Sequence, residues 1–185
     1  MTLFASPKEK ALWFSALVVA ITIFSTLFVG QPFERLLRDQ NTQAILFLSG
    51  MLLVGVVIMM HGLRKKSNKI QITIMVGLAA VYVMFFFRLG APERSHLIEY
   101  SVLSIFVYSA LIERVGHGNQ KLLQALVAFS ISFAIGVIDE FIQLFIPSRV
   151  FDTQDIFFNG MVSAMAIGST MVLTWIRKRI DQKRL

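Results

Sequence analysis

Long apolar runs separated by short polar clusters set the pattern of this chain. Residues 12–30 carry no charge; 44–62 carry only His61 and 70–89 only Arg88, both at the far end of their runs. The run at 96–112 is shorter and opens on polar groups. Residues 122–146 form a long run that contains Asp139 and Glu140, and 156–176 holds Asn159 but no charge. A helix needs about 20 mostly apolar residues to cross a bilayer. Six such segments predict an all-α, polytopic transmembrane bundle of about six spans. The gaps between them are short, so neighbours should run antiparallel. An open sheet is excluded because its edge cannot be satisfied in lipid.

The first run exceeds the usual 7–15 residue core of a signal peptide and lacks a small-x-small cleavage site after it. It is therefore expected to be a retained span. Residues 1–90 then form an N-terminal membrane region of three spans, 91–176 a second region of three, and 177–185 a basic tail.

Composition agrees. Of the 185 residues, 56% are hydrophobic and only 16% are charged, too few to cover a water-facing surface. With no cysteine, thiolate zinc sites, cysteine nucleophiles and iron–sulfur clusters are excluded. The net charge of +7 invites a nucleic-acid reading, but that needs a basic stripe on a soluble fold. Here the basic residues flank spans. Placed on six spans, the N-terminus, alternate gaps and the C-terminus hold thirteen Lys and Arg, among them Arg64, Lys65, Lys66 and Lys69 and the tail from Arg177 to Arg184. The opposite side holds five: Arg35, Arg38, Arg88, Arg94 and Arg149. By the positive-inside rule both termini should be cytoplasmic, in a multi-pass cell-membrane protein. The basic clusters then also attract anionic lipid, and no nucleic-acid partner is expected.

That topology brings distant polar residues to the outer leaflet. Arg88 ends the third span. Glu93, Arg94, His96, Glu99 and Tyr100 begin the fourth. Asp139, Glu140 and Gln143 come late in the fifth, Asp139 about 10 Å below its outer end. Arg149, Asp152 and Asp155 lie in the following loop, and Asn159 enters the sixth span. Spacing supports convergence: His96, Glu99 and Tyr100 share a face, as do Glu140 with Gln143, Asp139 with Gln143, and Asp155 with Asn159. Burying one ionised carboxylate in a span costs about 2.5–3.5 kcal/mol, and Asp139 and Glu140 also repel each other. One must hold a proton or face a cation such as Arg88, Arg94, Arg149 or a metal.

Each residue also has a plainer reading. Asp139 and Glu140 fit a structural ion pair, His96 a solvated interfacial imidazole, and Asn159 an interhelical bond. Asp152 followed by Asp155 fits an N-cap and an acid at the third helical position. Arg149 fits an interfacial anchor or a clamp on an anionic group. Gly160, Ala164 and Gly168 recur at four-residue spacing and permit close helix packing.

The series Glu93-Arg94-Ser95-His96-Leu97-Ile98-Glu99-Tyr100, then Asp139-Glu140-Phe141-Ile142-Gln143, then Pro147-Ser148-Arg149 with Asp152, Asp155 and Asn159, resembles the VanZ-like family. That family takes its name from a protein associated with resistance to the lipoglycopeptide teicoplanin. The resemblance covers about 92–168; the first three spans carry no recognised motif. Many relatives have Asp-Lys ahead of the histidine where this chain has Pro92-Glu93-Arg94, which marks a sub-branch. The resemblance implies a polytopic cell-envelope protein and supplies no reaction.

Three functions compete. In the first, the outer-leaflet site binds or modifies a lipid, a lipid-linked envelope precursor or a lipid-tailed antibiotic. Arg88, Arg94 and Arg149 would hold an anionic headgroup, and Tyr100, Gln143, Asp152, Asp155 and Asn159 would line the site. His96, Glu99, Asp139 and Glu140 would be the acid–base candidates and, with Asp155, possible ligands for a divalent metal. The second is a proton-coupled small transporter; the third is a non-catalytic scaffold packed through the small-residue face of the last span.

Overall fold

The computed structural model describes residues 4–38, 69–88, 91–116, 121–147 and 149–182. Among these residues every regular element is a helix and no strand is present. The helices are α1 (Pro7–Arg38), α2 (Lys69–Arg88), α3 (Ala91–Val115), α4 (Lys121–Gln143) and α5 (Thr153–Gln182). Four stretches are long and apolar enough to cross a membrane: Pro7–Phe28, His96–Val115, Lys121–Gln143 and Thr153–Ile176. Within α2 the stretch Ile72–Met84 is a shorter apolar helix. Of the six predicted spans, the second (44–62) lies outside the described residues. The first helix outruns its predicted end at Gly30 and continues to Arg38.

Local chemistry sets the helix ends. Ser6 caps α1: its Oγ accepts the Glu9 N–H at 3.0 Å, while the Glu9 carboxylate reaches back to the Ala5 N–H at 2.6 Å, a variant of the capping box. Pro92 sits in the first turn of α3, where its missing N–H has no intrahelical acceptor to lose. Gly116, at φ 69°, ends that helix in the left-handed region that glycine adopts without strain. Helix α4 unwinds through turns at Phe145 and Ile146 before Pro147.

The chain divides into two compact units: Met1–Gly30 with Ser95–Gly168, and Gln31–Arg94 with Ser169–Leu185. In the second unit, the Arg179 guanidinium lies 5.3 Å over the Trp175 ring. The first unit packs α1 with α3, α4 and α5. Its polarity is reversed relative to a soluble bundle. Phe14, Phe28, Leu122 and Phe157 are each at least two-thirds exposed, whereas Glu9, Asp139, Glu140 and Asn159 are fully buried. Apolar side chains outside and polar ones inside suit a protein whose solvent is lipid.

Contacts at each end fix the direction of the helices in this unit. At one end, Glu9 takes the Trp13 indole N–H at 3.2 Å and an ion pair from Arg114 Nε at 3.2 Å. Ser6 Oγ and Lys8 Nζ meet the two oxygens of Glu113 at 3.2 and 2.8 Å. The start of α1 therefore lies beside the end of α3, and the two run antiparallel. At the other end, Arg149 donates to the Thr26 carbonyl at 3.4 Å, late in α1. Gly136 lets three helices close on one point: a Cβ there would lie 3.2 Å from Asn159 Cβ and 3.3 Å from Tyr100 Cε1. Of the small residues on α5, Gly160 seats the Phe133 ring, Ala164 is exposed, and Gly168 faces open space.

Candidate functional site

The polar residues gather at the Thr26–Arg149 end of the first unit. His96 begins the buried face of α3, and Tyr100 follows one turn later; their rings are tilted at 5.8 Å. From α4 come Asp139 and Glu140, both fully buried. One ligand atom each from His96, Asp139 and Glu140 lies within 4.8 Å of the others. Glu99, half-buried, brings Oε2 to 3.9 Å from His96 Nδ1, too far for a hydrogen bond. Asn159 joins from α5 at the level of Gly136 and Tyr100. Two helices thus supply the acids and the imidazole, and a third supplies the amide.

The two adjacent carboxylates differ sharply in their surroundings. Glu140 is held on both oxygens: Gln143 Nε2 donates to Oε1 at 2.8 Å, and the Asp152 backbone N–H donates to Oε2 at 3.2 Å. Asp139 has neither. The Tyr100 hydroxyl faces its carboxyl group, yet neither that hydroxyl nor either Asp139 oxygen completes a hydrogen bond. The same holds for both amide atoms of Asn159, for His96 Nδ1 and for Glu99 Oε2. Buried polar atoms are nearly always paired, because each unpaired one costs about 1–3 kcal/mol. Orphans drawn from three helices thus form one cluster.

Arg149 supplies positive charge. Its field reaches His96, Glu99 and Asp139, and its anchor on Thr26 ties it to α1. Asp155 is half-buried and adds negative charge acting on both Asp139 and Glu140.

Two expected roles take a different form. The Asp152 carboxylate is exposed and caps α5, accepting the Gln154 N–H at 2.8 Å; its contribution to the site is its backbone N–H on Glu140. Gln143 Nε2 holds Glu140. The side chains of Arg88 and Arg94 lie outside the described residues.

Sequence reasoning missed a layer of serines. Ser104 on α3, Ser132 on α4 and Ser163 on α5 are fully buried, with no partner for any hydroxyl. Each lies four residues deeper than the level of Tyr100, Gly136 and Asn159. The four-residue spacing was visible; which faces meet was not. The next buried positions beyond the serines are apolar, Val107 on α3, Ala128 on α4, Ala166 and Ile167 on α5; the polar Gln124 follows one turn later on α4. The polar region is thus a buried seam reaching about 12 Å inward from His96, with an apolar layer beneath the serines.

No protein-family model matches the chain, and no curated protein or solved structure does so.

Proposed function

We propose that this chain is a VanZ-like multi-pass membrane protein that binds the polar headgroup of an anionic amphiphile in the outer leaflet. The ligand is a lipid, a lipid-linked envelope precursor or a lipid-tailed antibiotic. The carrying observation is the set of buried, unpartnered polar atoms on His96, Tyr100, Asp139 and Asn159 at one end of the first unit. A headgroup rich in hydroxyls and phosphate oxygens offers both donors and acceptors to such atoms. Arg149 takes the anionic part, and the acyl tails remain among the exposed apolar side chains of the bundle. Glu140, held at both oxygens, is the fixed acceptor; Asp139 and His96 are the groups available to exchange a proton with the ligand.

The outer-leaflet assignment follows from charge. Lys8 and Arg114 lie at the end opposite the site, and the basic residues concentrate on that side of the topology, which the positive-inside rule makes cytoplasmic. The apolar layer beneath the serines argues against a proton path through the bundle, since transporters bind near the midplane and open to both sides. It favours a one-sided site.

Native mass spectrometry from mild detergent tests this reading. Wild-type protein should carry a bound amphiphile that Glu140→Gln and Arg149→Ala both lose while remaining folded. Equal lipid profiles in all three proteins would contradict it.

A further inference from the structure

The seam holds a second kind of information in its donor set. Three ligand-type atoms lie within 4.8 Å of one another, so small side-chain movements bring all three to about 2.0–2.4 Å from one point, the bonding distance of zinc or of the harder divalent ions. Asp139 is fully buried and both its oxygens are unpartnered. Glu140 already has a hydrogen bond on each oxygen, the arrangement by which proteins orient a ligating carboxylate. Glu99 Oε2 stands 3.9 Å from His96 Nδ1, where a small ring movement would give the carboxylate–histidine pairing common around bound metals and leave Nε2 for the ion. Charge points the same way: the negative charge of Glu99 acts on Asp139, and that of Asp139 on Glu140.

We infer that His96, Asp139 and Glu140 bind one divalent ion, zinc or manganese, against which the anionic part of the headgroup sits. One imidazole and two carboxylates suit these ions better than soft-metal chemistry, which would use thiolates or thioethers. Open coordination positions would take ligand oxygens. Glu99 is a positioning residue, acting through His96. This inference rests on the headgroup reading and narrows it: the ligand is a phosphate- or carboxylate-bearing amphiphile whose oxygens complete the coordination.

The test uses the full chain in detergent, stripped with chelator and titrated calorimetrically with zinc, manganese or magnesium chloride. Wild type should take up about one zinc or manganese ion per chain and gain thermal stability on binding, as linkage requires. Asp139→Asn and Glu140→Gln should lose the uptake, and Arg149→Ala should keep it. Glu99→Gln should weaken affinity about 10–100-fold, the size of an outer-shell effect, with the melting temperature of its ion-free form unchanged. Absence of uptake of zinc and manganese by folded wild type would overturn the inference, as would uptake unchanged in both Asp139→Asn and Glu140→Gln. Native mass spectra of the same samples separate the two readings. An amphiphile held by wild type that takes up no ion removes the metal alone. Specific ion uptake with no amphiphile in any sample leaves the metal and removes the headgroup.

Discussion

Asp139 is the residue at which a structural and a functional account give opposite signs. Its carboxyl group is fully buried with no hydrogen bond, so in ligand-free protein it is a burden on the fold. Asp139→Asn removes the charge while keeping the shape. In chelator-treated detergent samples we expect it to raise the melting temperature, because a neutral amide is less costly to bury than a carboxylate, while abolishing ligand binding. A structural ion pair would instead make the substitution destabilising. Gly136 tests the geometry around it. A side chain there must displace Asn159 and the Tyr100 ring, so Gly136→Val should cost about 1–3 kcal/mol by overpacking and weaken binding. Thermal unfolding with and without bound amphiphile measures both; unchanged stability would show that the three helices do not close on this point.

At the scale of elements, α1 and α3 are joined at their far end by Glu9, which holds the Ala5 N–H, the Trp13 indole and Arg114. Glu9→Ala leaves these donors without their acceptor and should cost about 1–3 kcal/mol. The site lies at the opposite end of the unit, so any sample still folded should bind its amphiphile with wild-type affinity. Loss of binding without loss of stability would contradict that separation. How much of this was legible in the sequence follows from what hydropathy encodes. The apolar runs marked the stretches of α1 to α5 because length and composition alone decide whether a helix suits lipid. Bringing His96 to Asp139 and Glu140 needed only antiparallel helices and the three-to-four residue rise. The role of Glu9 was hidden, since an acid in a first helical turn needs no tertiary partner. The serine layer was hidden because serine is unremarked within a span, and only the meeting of three faces makes Ser104, Ser132 and Ser163 a group. Asp152 was anticipated as a cap; that its backbone N–H would hold Glu140 is a property of the loop's path, which side-chain identity does not specify.

With a headgroup site in the outer leaflet, the site faces outward and the basic ends face the cytoplasm. The chain has no native cysteine, so single introduced thiols report cleanly. In intact cells a membrane-impermeant maleimide should label Gln154→Cys, at the exposed start of α5 beside the site. Lys8→Cys and Lys178→Cys should label only after lysis. The reverse pattern would put the same site on the cytoplasmic leaflet and change the pool of lipids it meets.

The most direct test of the central claim maps where an amphiphile's headgroup rests. A phospholipid with a photoreactive group beside its phosphate, incorporated into membranes containing the full chain, should crosslink to peptides covering 96–104 and 136–143, and Glu140→Gln should remove those crosslinks. Labelling confined to outward-facing positions such as Phe14, Leu122 and Phe157, and unchanged by Glu140→Gln, would show that lipid only coats this bundle and that its buried polar seam is not a headgroup site.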